Sequence, residues 1–164
     1  MTKDIVQEEN VMYSEQVQRV LYPCYNSMGY RYAWNARAYK EITPYYNVKS
    51  ILYFDNKDQE KLHFPVNFRA NTTVTVVEDQ VSAMIGSQFT PCVSLMGTDL
   101  SEGAVQLLCS MGIRHLRIAL DPDAMRKAIN IYNKYKIDFN SVDILSTSED
   151  IKDLDAKTLN EVLK

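Results

Sequence analysis

The sequence predicts an α/β protein with a parallel sheet of about four strands and helices on both faces. Three short apolar runs support this fold class, at residues 74–77, 92–95 and 116–120, because each is followed by a segment with helical character. Parallel neighbours need a crossover connection, so this order is typical of a β-α-β-α-β unit. The first and third runs end at acidic residues, Glu78-Asp79 and Asp121-Pro122-Asp123. Ligands bind at the carboxyl ends of strands in such sheets, which makes these acids candidate functional residues.

A small antiparallel, aromatic-rich subdomain is predicted ahead of the parallel sheet. Nine of the eleven tyrosines precede residue 60, and aromatic residues favour strands. The turn Asn26-Ser27-Met28-Gly29 predicts a hairpin between residues 21–25 and 30–37, and residues 49–56 are predicted as a further strand. A short helix is expected within residues 4–20. We therefore expect an N-terminal subdomain over residues 1–70 and the parallel-sheet domain over residues 71–164.

Three further elements are predicted after the third apolar run. Residues 124–135 have helical spacing, with Met125, Ala128, Ile129 and Tyr132 as the apolar positions. Residues 139–145 are predicted as a fourth strand. The last predicted helix covers residues 154–163, with Asp155 as its N-terminal cap.

Composition excludes several classes of protein. A net charge of -3 and a pI near 5.4 argue against a protein that coats nucleic acid through bulk positive charge. Cys24, Cys92 and Cys109 lie far apart, so they form neither a zinc-binding spacing nor a disulfide framework. Without cysteine partners, His63 and His115 are expected to have structural roles. No apolar run approaches the length of a membrane span, and a soluble, cytoplasmic protein without a membrane partner is expected.

The acidic residues at the strand ends fit three uses of carboxylates. They can hold Mg²⁺ for phosphoryl transfer, since Mg²⁺ prefers oxygen ligands and bridges phosphate groups. They can form the phosphate-accepting site of a receiver domain, which also carries an acid pair after its first strand. In the third interpretation, Asp121 and Asp123 cap the helix that follows, because the free N–H groups there favour aspartate. Spacing alone leaves all three open.

The tyrosine-rich segment has two interpretations. Its aromatic side chains are interleaved with cations, and such a surface can stack nucleobases and bind phosphates. The cations are Arg19, Arg31, Arg37, Lys40 and Lys49. A small sheet that uses aromatic residues for its own packing has the same composition.

Three segments resemble the Toprim domain, in the form found in bacteriophage primases and primase–helicases. They are VVEDQVSAM, SLMGTDLS and IALDPDA, with a glutamate after the first strand, Gly-Thr after the second and Asp-x-Asp after the third. Weaker resemblances flank them, in residues 21–47 and 150–163. The resemblance implies a primase-type enzyme of DNA replication, of phage or mobile-element origin. Its reaction would be RNA primer synthesis by nucleotidyl transfer that depends on Mg²⁺, with Mn²⁺ as an alternative ion.

The same resemblance implies roles for the acidic residues. Glu78 would be the general acid/base or a metal ligand, and Asp121 and Asp123 would bind the metal ion. Asp79 would lie next to these residues without binding the metal ion itself.

The basic residues are implied to contact nucleotide or template. Arg37 matches the basic residue of the family that faces nucleotide or template, and Lys152 matches the lysine of its closing motif, where it would counter the acidic cluster. The family has a lysine where this chain has Tyr45, so Lys40 or Lys49 would take its place.

The implied partners are single-stranded DNA and nucleoside triphosphates. A zinc-binding module or a helicase would be supplied separately, because the sequence contains neither. Two rival functions remain. A Toprim nuclease or topoisomerase-like enzyme would use the same carboxylates to cleave strands, and a non-catalytic replication module would use the tyrosine-rich surface for binding.

Overall fold

The computed structural model describes residues 3–39, 48–55 and 59–163. The chain divides into two compact units, Met1–Gln59 and Glu60–Lys164. The first unit contains a four-stranded antiparallel sheet and the second a four-stranded parallel sheet with helices. The predicted fold class is therefore confirmed.

The described residues of the first unit form one short helix and four strands in the spatial order β1-β2-β3-β4. These are α1 (Lys3–Glu8), β1 (Met12–Ser14), β2 (Arg19–Tyr25), β3 (Arg31–Ala38) and β4 (Ser50–Phe54). Helix α1 occupies only the start of the predicted range, because Asn10 has a φ of 55° in the left-handed region and β1 follows. The predicted hairpin is confirmed: Gly29 has a φ of 80°, and its N–H donates to the Asn26 carbonyl at 3.0 Å.

The pairing of β2 with β3 is interrupted by a β-bulge. Cys24 pairs with Ala33, whereas the next residue, Tyr25, pairs with Arg31. Tyr32 is therefore the extra residue, and its side chain is 3% exposed. Such a bulge changes which face of the sheet the following side chains occupy.

The second unit contains the parallel sheet, in the spatial order β6-β5-β7-β8. Its strands are β5 (Thr73–Val77), β6 (Cys92–Ser94), β7 (His115–Ala119) and β8 (Ser141–Ile144), and all three neighbouring pairs are parallel. Its helices are α2 (Gln80–Gly86), α3 (Glu102–Ser110), α4 (Met125–Tyr135) and α5 (Ala156–Val162). Two 3₁₀ turns lie at Pro122–Ala124 and Ile151–Asp153. The four predicted strands are confirmed.

The parallel sheet separates two hydrophobic cores. Val74 and Val76 face the core formed with α3 and α4, whereas Val77 faces a smaller core formed with α2 and α5. This division follows from the alternation of side chains along a strand. Helices on both faces explain why the central strands are apolar throughout.

Helix α4 buries a different stripe from the predicted one. Ala128, Ile131 and Tyr135 enter the core, whereas Ile129 is 44% exposed. The helix carries apolar residues on two overlapping stripes, and its neighbours select between them. The Tyr135 hydroxyl donates to the Leu100 carbonyl at 2.8 Å, which holds this face of the helix against the loop before α3.

The segment before β5 belongs to the parallel-sheet unit, although the sequence placed the boundary at residue 70. The His63 N–H donates to the Ser94 carbonyl at 2.9 Å, and the Ser94 N–H donates to the His63 carbonyl at 3.0 Å. His63 is fully buried beside β6 as a result, and burial lowers its pKa to about 3. No helix in the three described ranges is long and apolar enough to cross a membrane.

Candidate functional site

The predicted acidic residues lie at one end of the parallel sheet. Val77 and Ala119 are paired neighbours at the ends of β5 and β7. Glu78 follows Val77 directly, and Asp121 follows Ala119 by two residues. Because these strands are adjacent and parallel, their carboxyl ends meet at the same edge.

The backbone at Glu78 is held by the loop that follows β6. Its carbonyl accepts hydrogen bonds from the Gly97 N–H and from the Ser94 hydroxyl, each at 3.0 Å. Met96 and Gly97 have φ values of 54° and 150°, and this turn directs the Gly97 N–H toward Glu78. A side chain at Gly97 would strain the backbone, since residues other than glycine avoid that region.

Each oxygen of the Asp79 carboxylate has a separate structural role. Oδ1 caps α2 by accepting from the N–H groups of Val81 at 2.8 Å and Ser82 at 3.1 Å. Oδ2 accepts from Lys152 Nζ at 3.0 Å. Asp79 is therefore the helix cap and ion-pair partner at this edge.

Asp121 does not cap the helix that follows it. It precedes the 3₁₀ turn Pro122–Ala124, and its side chain makes no capping hydrogen bond there. The interpretation of Asp121 as a helix cap is therefore wrong. Its side chain is only 18% exposed, whereas Asp123 lies on the surface of the same turn.

Lys152 joins three of the acidic side chains. Its Nζ lies 3.0 Å from Asp79 Oδ2 and 3.9 Å from Asp121 Oδ2, and it also donates to Asp150. Partial burial opposes its charge, but the hydrogen bonds to Asp150 and Asp79 outweigh that effect and raise the pKa of Lys152. The preceding Ile151 is 2% exposed in the core under α2 and α5, which fixes the lysine in place.

The environment of Glu78 opposes its ionisation. Burial raises the pKa of its carboxyl, and the negative charges of Asp121, Asp123 and Asp79 raise it further. Lys152 acts in the opposite direction without cancelling the shift. Perturbed carboxyl groups of this kind are typical of functional sites.

Asp121 is perturbed for the same reasons. Its pKa is raised to about 6: burial has the largest effect, Lys152 lowers the pKa, and Asp150, Asp79 and Asp123 raise it. Its carboxylate therefore carries negative charge at neutral pH at a free-energy cost. A bound cation would remove that cost.

The carboxylates at this edge supply oxygen atoms, the ligand type that Mg²⁺ prefers. Among residues 3–39, 48–55 and 59–163, no three acidic, histidine or cysteine side chains converge closely enough to form a complete metal-binding cluster. The negative charges of Asp121, Asp123 and Asp79 still act on Glu78 and raise the pKa of its carboxyl. Mg²⁺ commonly binds one or two carboxylates and completes its shell with water and substrate phosphates. The chain offers oxygen ligands for that arrangement.

The predicted basic residues are distributed over both units. Lys152 lies at the acidic edge, which is the end of the parallel sheet that carries Glu78, Asp79 and Asp121. Arg37 lies half-buried in β3, and Lys49 lies exposed just before β4. Lys40 and Tyr45 lie outside the described residues. The roles of these residues in nucleotide or template binding stay predictions.

Two residues at the acidic edge were not predicted from the sequence. Ser94 is fully buried and links the ends of β5 and β6, because its hydroxyl donates to the Glu78 carbonyl and accepts from the Met96 N–H. Asp150 joins the cluster through Lys152. A serine at the end of an apolar run and one acid in an acidic turn carry no distinctive signal, so only the tertiary contacts identify them.

No family model matches the sequence, and no curated protein matches it. Solved structures do match. The zinc-binding and RNA polymerase domains of the Aquifex aeolicus primase align over 95% of this chain and 43% of that one, with 15% identity and a TM-score of 0.71.

Two other similar structures are also primase domains. The RNA polymerase domain of the Mycobacterium tuberculosis primase DnaG aligns over 99% of this chain and 61% of that one, with 15% identity and a TM-score of 0.72. A DnaG primase catalytic domain bound to single-stranded DNA aligns over 98% and 57%, with 16% identity and a TM-score of 0.67.

These similarities establish the fold. The mixed α/β architecture, with an antiparallel sheet followed by a parallel one, matches that of DnaG primase catalytic cores. This chain spans 43 to 61% of the length of the three primase chains described above. At such low identity the comparison concerns the fold, and the function is a separate inference.

Proposed function

We propose that this chain is a Toprim-type, primase-like protein of DNA replication that adds nucleotides to an RNA primer on single-stranded DNA. One observation carries the proposal: perturbed carboxylates follow β5 and β7, within a fold shared with primase catalytic cores. The resemblance of the segments around Glu78, Gly97 and Asp121 to Toprim motifs supports the same assignment.

In this proposal Asp121 and Asp123 hold Mg²⁺, with Mn²⁺ as an alternative, and Glu78 is either a further metal ligand or the general acid/base. When bound, the ion supplies neutralisation of the negative charge on the phosphates of a nucleoside triphosphate. The raised pKa of Asp121 supports this role, because a carboxylate that is costly to ionise gains most from a neighbouring cation.

Glu78 is proposed to accept a proton during the transfer. The primer hydroxyl oxygen forms a bond to the α-phosphorus, the bond from that phosphorus to the pyrophosphate oxygen breaks, and the hydroxyl proton passes to a Glu78 carboxylate oxygen. A general base acts best when its pKa lies near the working pH. The surroundings of Glu78 raise its pKa in that direction.

Lys152 and Asp79 are proposed to hold the acidic edge in a fixed conformation before substrate binds. Their ion pair, at 3.0 Å, joins the end of β5 to the closing segment of the chain. Lys152 also lies 3.9 Å from Asp121, so its ammonium offsets part of the local negative charge. A triphosphate that enters with its cation would compete for the same lysine.

The proposed partners are single-stranded DNA and nucleoside triphosphates. One of the similar structures is a primase domain bound to single-stranded DNA, and another includes a zinc-binding domain. Here a zinc-binding module and a helicase would act as separate partners of this chain.

A primer-synthesis assay tests the assignment. With single-stranded DNA, nucleoside triphosphates and Mg²⁺, Asp121→Asn and Glu78→Gln should each reduce synthesis on the order of 100-fold or more, as expected for groups that handle the proton or charge. Asp143→Asn is the matched control, because Asp143 is an exposed acid of β8 and should retain activity. Synthesis that survives both site variants would reject the site.

Calorimetry with Mg²⁺ separates binding from chemistry. After subtraction of the heat of Mg²⁺ binding to the nucleoside triphosphate alone, wild-type protein should show further binding, and the double variant Asp121→Asn/Asp123→Asn should not. Equal binding by the two proteins would remove the metal site from the proposal. Cleavage of labelled DNA in place of primer synthesis would assign the same carboxylates to a strand-cutting enzyme.

A further inference from the structure

Two aromatic side chains of the antiparallel sheet lie side by side on one face. Trp34 on β3 and Tyr53 on β4 are direct cross-strand partners. Partners across a ladder project to the same face. Tyr53 is 49% exposed and Trp34 is half-buried, so the pair forms part of the surface.

The bulge brings a cation to the same face. Arg31 and Trp34 are three residues apart on β3, and simple alternation would place them on opposite faces. Because Tyr32 is the extra residue, the alternation is reset between them. The Arg31 guanidinium carbon then lies 4.7 Å from the centre of the Trp34 ring.

This arrangement has the chemistry of a stacking surface. Nucleobases stack on aromatic rings and on the planar guanidinium of arginine. Arg31 covers Trp34, and its side chain is 44% exposed, so its plane is available to a ligand. Tyr53 adds an exposed ring on the adjacent strand.

The ion pair that holds Arg31 is exposed and weak enough for an anionic ligand to replace it. Arg31 Nε donates to Asp55 Oδ2 at 3.0 Å, with side chains 44% and 48% exposed. Exposed ion pairs contribute about 1 kcal/mol or less, so a phosphate can replace the carboxylate. Lys49 is exposed on the same face by alternation, and at roughly 3.3 Å per residue it lies about 13 Å from Tyr53 along the strand.

We infer that Arg31, Trp34 and Tyr53 form a stacking surface for single-stranded nucleic acid. Bases stack on Tyr53 and on the guanidinium of Arg31, with Trp34 as the supporting layer, while Lys49 holds a phosphate farther along the strand. This inference deepens the proposed function, on which the choice of ligand rests. It assigns template contact to residues that the acidic edge does not include.

Tryptophan fluorescence reports on this surface directly, since Trp34 is the only tryptophan of the chain. Titration with an oligodeoxythymidylate of about 12 nucleotides, in EDTA, should quench the emission. Tyr53→Leu should weaken binding by roughly 5-fold or more, which corresponds to the loss of one base stack, whereas Tyr53→Phe should keep it. The matched control is Tyr132→Leu on α4, which removes another exposed tyrosine and should bind like wild type.

A second variant tests the charge argument by a gain of binding. Asp55→Asn releases Arg31 from its ion pair and should tighten binding several-fold at low salt, with a smaller gain at high salt. Thermal unfolding checks that every variant is folded. An unquenched wild type, or a folded Tyr53→Leu protein with unchanged affinity, would overturn the inference.

The titration tests the stacking surface and the primer-synthesis assay tests the proposed reaction, so either can be rejected without the other. Binding that persists in EDTA and in Asp121→Asn, without primer synthesis by the wild type, would reject the proposed reaction and keep this surface. Synthesis with unchanged template affinity in folded Tyr53→Leu would reject the surface and keep the reaction.

Discussion

Asp121 carries a negative charge that its surroundings disfavour. Its side chain is 18% exposed, and burial together with the neighbouring acids raises its pKa to about 6. Lys152 lies 3.9 Å away and compensates only in part. A neutral side chain would cost less folding free energy here, and the proposed role of Asp121 in holding Mg²⁺ accounts for the charge.

Ionised Asp121 is predicted to lower the free energy of unfolding. Because its pKa is raised in the folded state, folded protein binds the proton more tightly than unfolded protein, and stability falls as pH rises from about 4 to about 6. Asp121→Asn should therefore increase the free energy of unfolding by about 1 kcal/mol at pH 7.5 without metal. Urea unfolding at pH 4 and pH 7.5 measures this. A gain of equal size at both pH values would contradict the electrostatic explanation.

At the scale of elements, Asp79 is the residue that joins three parts of the second unit. It follows the end of β5 by two residues, caps α2 through Oδ1 and pairs with Lys152 through Oδ2. Lys152 belongs to the 3₁₀ turn Ile151–Asp153, whose Ile151 is buried with α2 and α5. The start of α2 and the closing turn are therefore held by a single carboxylate.

Substitutions at Asp79 separate the cap from the ion pair. Asparagine is a good N-cap but cannot pair with a cation, so Asp79→Asn should lose only the contribution of Lys152. Asp79→Ala should lose the cap as well, at an additional cost of about 1 kcal/mol. Urea denaturation of both variants, alone and combined with Lys152→Met, gives the two contributions. If Asp79→Asn and Asp79→Ala were equally stable, the cap would contribute nothing.

The elements differ in how far the sequence predicts them. The strands of the parallel sheet are predictable because each apolar run is bounded by Glu78, Gly97 or Asp121, and helices follow. The buried face of α4 is not, because Ile129 and Ile131 both suit a helical stripe and only the packed neighbours choose Ile131. The position of Glu78 and Asp121 at one end of the sheet is predictable because each follows a parallel strand, whereas the Lys152–Asp79 contact joins distant positions and leaves no local pattern.

At the scale of the whole molecule, acid sensitivity of the second unit is expected to depend on His63. Burial lowers its pKa to about 3, while the unfolded chain protonates it near its ordinary value. The unfolded state therefore binds more protons between these limits, and stability falls as pH drops below about 6.5. This sign is opposite to that of Asp121.

The variant His63→Gln in an Asp121→Asn background isolates this effect. The Asp121→Asn protein should lose up to about 1.4 kcal/mol of unfolding free energy per pH unit between pH 6 and pH 4, and the double variant should show a flatter profile. Urea unfolding across this range measures the slope. Parallel profiles for the two proteins would show that His63 does not control acid stability.

The strand order β6-β5-β7-β8 affects how the second unit forms during synthesis. The central strand β5 is made first, but one of its two neighbours, β7, is complete only when the chain reaches Ala119. At a synthesis rate of roughly 5–20 residues per second, the edge of β5 that pairs with β7 stays unpaired for a few seconds. Products that terminate between β6 and β7 should therefore aggregate or engage chaperones, whereas those that extend beyond Ala119 can close the centre of the sheet.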